Sequence, residues 1–141
     1  SCSRDSLFQA EARRCKNILD VISSNNKNNN YLCLFDELFS GTNPYEAISS
    51  AIAYLQYLSD NNNINIVITT HFLELCNKLN KNKRFLNYHM NTNEKDSNIE
   101  YTYLLKTGIS KIKGGVKVLK DLEYPTKIID DTNKIINNII I

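Results

Sequence analysis

Two acidic residues, Asp36 and Glu37, directly follow the apolar run Tyr31-Leu32-Cys33-Leu34-Phe35. A run of that kind suits a strand buried on both faces of a parallel sheet, and open α/β sheets bind ligands at the carboxyl ends of their strands. The pattern has the form of a Walker B motif. Phosphoryl transfer from ATP needs one acidic group to hold Mg²⁺, often through water, and a second group to orient the attacking water. Asp36 fits the first role and Glu37 the second. The dyad alone is also open to a plainer reading, two solvated acids at a strand end, because motifs this short recur by chance. A second β-branched run, Ile66-Val67-Ile68-Thr69-Thr70, stops at His71, 34 residues after Glu37. An imidazole at the same sheet edge can hydrogen-bond a γ-phosphate or the attacking water, although a single histidine at a strand end also serves purely structural ends.

The elements that must position these groups follow from periodicity. Phe8, Ala12, Cys15, Leu19 and Ile22 recur at helical spacing, and Ser6 with Gln9 makes a capping box that predicts a helix starting at Ser6. The tract Asn25 to Asn30 ends it as a polar surface loop before the first strand. Asn43, Pro44 and Glu46 supply a cap, a proline at the first helical position and a carboxylate at the third. The stripe Ile48, Ala51, Ile52, Leu55 and Leu58 then carries that helix to about Ser59. Ile64 to Thr70 forms the second strand and a short helix runs through Leu79, which completes a βαβ pattern. Alternation at Leu86, Tyr88 and Met90, and again at Tyr101, Tyr103 and Leu105, predicts an antiparallel hairpin at the sheet edge. Gly108 and Gly114-Gly115 punctuate a loop, after which Val116 to Leu122 and Pro125 onward read as two helices. The last carries Ile128, Ile129, Thr132, Ile135, Ile136 and Ile139 on one stripe, suited to core or dimer contact, with Lys127, Asp130, Asp131 and Lys134 opposite.

Length and composition bound what this chemistry serves. A chain of 141 residues makes one ordinary domain, and 42% hydrophobic with 23% charged residues is a globular composition despite 21 asparagines. A formal charge of +2 is too small to argue nucleic-acid or membrane binding from electrostatics. The lysines near residues 78–84 and 111–120 are dispersed and read as solvated surface. Cys2, Cys15, Cys33 and Cys76 form no C-x-x-C pair, and with only His71 and His89 available the pattern argues for core thiols in a reducing compartment, not for zinc. No apolar stretch reaches the ~18 residues of a membrane span. A charged helical pattern starts almost at once after a first residue that is not methionine, so the chain reads as a piece of something longer.

Three blocks together resemble the C-terminal ATPase domain, domain V, of the MutS mismatch-repair family. They are Ser6-Leu7-Phe8-Gln9-Ala10-Glu11, then Asp36-Glu37-Leu38-Phe39-Ser40-Gly41-Thr42-Asn43-Pro44, then Thr69-Thr70-His71-Phe72-Leu73-Glu74-Leu75. Their order and spacing match across most of the chain. The resemblance implies part of an ABC-type P-loop ATPase fold, α/β, with a mostly parallel sheet, an edge hairpin and C-terminal helices. Residues 1–124 would be the C-terminal portion of that domain and 125–141 the start of a helical dimerisation segment. The implied cofactors are ATP and Mg²⁺, held at the interface of a dimer. Asp36 would be the Mg²⁺-associated acid, Glu37 the acid that polarises water, and His71 the switch histidine. Gly41, Thr42 and Asn43 would face the partner subunit, and Ser6 would reach the γ-phosphate of ATP bound to that subunit; these four make the implied cofactor-binding set. Mismatched double-stranded DNA would be bound by domains outside this chain, in an intracellular protein with no membrane association.

Three departures stand beside the match. No G-x-x-x-x-G-K-[ST] occurs, the four glycines being Gly41, Gly108, Gly114 and Gly115, so the phosphate loop that precedes the signature helix in the family would lie upstream of Ser1. Ser40 stands where many relatives carry arginine, and Lys113-Gly114-Gly115 replaces the usual Ser-Tyr-Gly. Two rivals follow: another ABC-type ATPase, of transport or chromosome-maintenance type, and a non-catalytic dimerisation module. The first would need an L-S-G-G-Q-like signature where Ser6-Leu7-Phe8-Gln9 stands. The second gains from the missing phosphate loop and loses from the retained Glu37 and His71.

Overall fold

A computed structural model describes residues 3–24, 29–95, 98–112 and 114–139. Cys2, Lys113 and Asn25–Asn28 of the expected loop lie outside the described residues, and so does the side chain of Ser6. The fold divides into two compact units, Ser1–Phe85 and Leu86–Ile141.

The first unit holds α1 (Ser3–Ser24), β1 (Tyr31–Asp36), α2 (Pro44–Ser59), β2 (Ile64–Thr69) and α3 (Leu73–Leu79). β1 and β2 pair in parallel, with Tyr31 opposite Ile64 and Asp36 opposite Thr69, and α2 makes the crossover. Alternation along each strand sends Cys33, Phe35, Ile64, Ile66 and Ile68 to one face. On that face they meet Ile18 and Leu19 of α1 and Leu55 and Leu58 of α2. Leu75 and Leu79 of α3 join the same interior, which extends to Leu38 and Phe39 just after β1. The opposite face carries Leu32, Leu34 and Val67, all exposed; Leu34 shows 69% of its surface.

Helix starts follow local chemistry. Asn43 caps α2 by accepting from the Glu46 backbone N–H at 3.0 Å, with Pro44 at the first helical position, as its sequence predicts. α1 starts at Ser3 and not at Ser6, which places Ser6 one turn inside the helix and removes its expected role as the N-cap. Ser3-Arg4-Asp5 contains neither glycine nor proline to stop a helix.

The second unit holds the hairpin β3 (Tyr88–Lys95) and β4 (Asn98–Thr107), then α4 (Gly114–Asp121) and α5 (Thr126–Asn138). The hairpin is antiparallel as expected, but it forms a sheet of its own and does not continue the edge of the parallel pair. A bulge between Met90 and Thr92 is filled by Thr102, whose hydroxyl donates to the Asn91 carbonyl at 2.8 Å. Gly114 and Gly115 open α4 instead of belonging to the preceding loop. The isoleucine stripe of α5 buries none of its residues, so within this chain it is not core. The division at 124/125 drawn from the resemblance falls between α4 and α5. The architecture is mixed α/β, with one parallel and one antiparallel pair among the described residues.

Candidate active site at the ends of the parallel strands

β1 and β2 run in the same direction in register, so their last residues and the turns after them come together at one edge. Asp36 is the last residue of β1 and is exposed. Its register partner Thr69 donates its hydroxyl to Asp36 Oδ1. Glu37 follows, and its backbone N–H donates to the Thr69 carbonyl at 3.0 Å, one further rung of the ladder. There the chain turns sharply: Glu37 has φ 52° and Phe39 φ 60°, both in the left-handed region that a side chain disfavours by about 1–2 kcal/mol.

Burial holds this turn. Leu38 and Phe39 are almost fully enclosed, and Phe39 packs its ring against Phe8 and Tyr54 at centroid distances of 5.6 and 6.1 Å. Burying two such side chains contributes about 1.5–3 kcal/mol each, which outweighs the two left-handed residues. The Ser40 N–H closes the turn on the Glu37 carbonyl at 3.2 Å.

The turn aims Glu37 across the edge at His71. Glu37 Oε1 lies 2.7 Å from His71 Nε2, with 45% of the glutamate side chain and 88% of the imidazole exposed. At that distance the two side chains are hydrogen-bond partners, with the ring as donor when Nε2 carries its proton. The Thr70 hydroxyl accepts from the Phe72 N–H at 3.0 Å, which shapes the bend on which His71 stands. Asp36, Glu37 and His71 thus occupy one edge, as their sequence positions predict.

The glycine-containing segment is placed by other contacts. A Cβ on Gly41 would come within 3.1 Å of the Phe8 backbone nitrogen and of Leu7 Cγ, a tight approach, so the absence of a side chain lets this loop lie close against α1 at Leu7 and Phe8. Thr42 and Asn43 both donate to Glu46 Oε2, at 3.1 and 2.6 Å, which commits both side chains to the start of α2. The residue that sequence reasoning missed is Thr69. Its signal was its place opposite Asp36, and that is readable only once the strand register is known.

Away from this edge, burial pushes the Cys15 and Cys33 thiols up from their ordinary values, and the Tyr54 hydroxyl likewise. These are inert core groups. The Tyr54 hydroxyl donates to the Cys15 carbonyl at 3.0 Å, tying α2 to α1. Among the described residues no helix is long and apolar enough to cross a membrane.

As a donor set, Asp36 fits Mg²⁺: a hard carboxylate oxygen at an open edge suits a cation that keeps several waters and takes one or two carboxylates together with phosphate oxygens. Among the described residues no three acids, histidines or cysteines cluster to enclose a metal by themselves. The remaining ligands of such an ion would come from water and phosphate. For ATP the chain offers the strand-end acids and no phosphate-loop sequence.

The family model described as MutS domain V matches residues 2–140. The DNA mismatch repair protein MutS of Aquifex pyrophilus is 32% identical over 134 residues, covering 95% of this chain and 15% of that protein. Its namesake in Bacteroides fragilis (strain YCH46) is 32% identical over 138 residues, covering 96% and 15%. The chain thus spans about 15% of the length of these relatives. With a strand-end acid pair, a facing histidine and a family match along nearly its whole length, the chain belongs to the MutS domain V family.

Proposed function

We propose that residues 1–141 supply the hydrolytic half of an ABC-type ATPase site in a DNA mismatch-repair protein of MutS type. The observation that carries this reading is the 2.7 Å contact between Glu37 and His71, placed beside Asp36 at the carboxyl ends of two parallel strands. Asp36 offers an oxygen to Mg²⁺, and the bound Mg²⁺ supplies neutralisation of phosphate charge. Glu37 orients the attacking water and draws on its proton. His71, donating from Nε2, fixes the Glu37 carboxylate and leaves its other ring nitrogen, Nδ1, for the γ-phosphate edge.

The partner is a second subunit, which completes the site. Gly41 lies close against Leu7 and Phe8 of α1, so the two segments expected to face that subunit are neighbours in the fold. Mismatched double-stranded DNA is bound by domains outside this chain, and hydrolysis drives conformational change without altering DNA covalently. The test is Glu37→Gln in the natural protein that carries residues 1–141. ATP should bind nearly normally while single-turnover hydrolysis slows at least ~100-fold, and hydrolysis at the wild-type rate would sink the assignment. A second reading is a non-catalytic dimerisation module. It predicts no hydrolysis in the natural protein with Glu37 intact.

A further inference from the structure

We infer that Thr69 is the positioning residue of this site, holding the Asp36 carboxylate by one oxygen so that the other faces the metal. The inference rests on the ATPase reading above. Thr69 touches both acids by different atoms: its hydroxyl donates to Asp36 Oδ1, and its carbonyl accepts the Glu37 N–H at 3.0 Å. Asp36 and Thr69 are register partners on the exposed face of the parallel pair. Asp36 is exposed there, and the terminal torsion of a carboxylate is broad and weakly restricted.

The threonine is suited to stop that rotation. Its β-branch restricts its own χ1 in a strand, so the hydroxyl is presented in a set direction at little entropic cost. Occupying Oδ1 leaves Oδ2 as the oxygen offered to the cation. Because the same residue receives the first backbone hydrogen bond after β1, the direction of the metal-side oxygen and the start of the Glu37 turn share one anchor. Groups that orient a metal-bound carboxylate typically change metal affinity 10–100-fold when removed. Asp36 is exposed, so the lower end of that range applies here.

The experiment titrates Mg²⁺ against binding of a fluorescent ATP analogue to the natural protein that carries residues 1–141. Thr69→Val keeps the β-branched shape and removes the hydroxyl, Thr69→Ser keeps the hydroxyl, and Asp36→Asn removes the metal-side charge. Thr69→Val should raise the Mg²⁺ concentration for half-maximal binding roughly tenfold and leave metal-free affinity unchanged, and Thr69→Ser should restore most of the wild-type value. Should the valine variant not fold, Thr69→Ala is read in its place. Wild-type Mg²⁺ dependence without the hydroxyl, an equal loss with and without metal, or failure of serine to restore it would each overturn the role. If Asp36→Asn shifts the Mg²⁺ dependence while Thr69→Val does not, the Thr69 proposal alone fails. If Asp36→Asn leaves that dependence untouched, the ATPase reading of the site fails first.

Discussion

Asp36 and His71 stand at neighbouring strand ends but differ in the charge they can offer, and that difference separates their roles. If Asp36 offers the metal-side oxygen as proposed, Asp36→Ala should lower nucleotide affinity in the presence of Mg²⁺ and should not lower it without the metal, where the lost charge no longer repels phosphate. His71→Ala removes the Nε2 donor 2.7 Å from Glu37, so turnover should fall while Mg²⁺-dependent affinity is kept. Affinity measured with and without Mg²⁺, beside single-turnover rates, distinguishes the two; identical behaviour would refute the division. That Asp36, Glu37 and His71 share one edge was legible in the sequence because Asp36-Glu37 and His71 each follow a β-branched or apolar run, and such a run ends where a strand end meets solvent. Thr69 was not legible, since it lies inside its run and gains meaning only from its partner across the ladder. Ser6 misled as a cap: the S-x-x-Q pattern at Ser6-Leu7-Phe8-Gln9 marks a helix start only where no earlier turn precedes it, and here the helix begins at Ser3.

Between β1 and α2 the segment 37–43 does three jobs at once, and its glycine is where they conflict with a side chain. Glu37 must leave the sheet in a left-handed conformation, Phe39 must reach the core, and Gly41 must lie against Leu7 and Phe8 of α1. Gly41→Ala introduces a Cβ 3.1 Å from a backbone nitrogen, which cannot rotate away as a side chain tip would. It should destabilise the protein by about 1–3 kcal/mol, the usual cost of overpacking a close contact. Urea denaturation checks this, and an unchanged midpoint would show that α1 and the loop separate freely. At this scale the sequence was most readable where side chains act locally. Asn43-Pro44-Glu46 predicted the start of α2 because cap, proline and carboxylate all act within one turn. Gly114-Gly115 predicted a loop and opened a helix instead, because the apolar periodicity from Val116 overrides the low helix propensity of two residues at its end. The hairpin was readable from its alternation, while its separation from the parallel pair was not, since alternation does not state which sheet a strand joins.

At the scale of the whole chain, the core and the open face make opposite contributions to stability. Desolvation raises the thiols of Cys15, Cys33 and Cys76 and the hydroxyl of Tyr54, so in the folded state these groups keep protons that the unfolded chain releases. Their contribution is fully present below the ordinary thiol value of 9.0 and is lost as pH rises above it toward the raised native values. The urea midpoint under reducing conditions should therefore fall between pH 8 and pH 10, and a rise would contradict the sign. The outer face of the parallel pair works the other way at every pH. Parallel strands are normally covered on both faces, yet Leu32, Leu34 and Val67 are exposed, and among the described residues the outer edges of β1 and β2 pair with no further strand. Residues 1–141 expressed alone should therefore bind a hydrophobic dye and self-associate, and Leu34→Lys should reduce both without lowering helix content. The same isolated chain should show no measurable ATPase and at best very weak ATP binding. Asp36 and Glu37 repel a triphosphate, and Mg²⁺ bridges that repulsion only where backbone N–H groups and a lysine already hold the phosphates. No G-x-x-x-x-G-K-[ST] in these 141 residues supplies them. Isothermal titration with Mg²⁺-ATP decides the point: micromolar affinity, or turnover abolished by Glu37→Gln, would mean that residues 1–141 complete the nucleotide site without a phosphate loop.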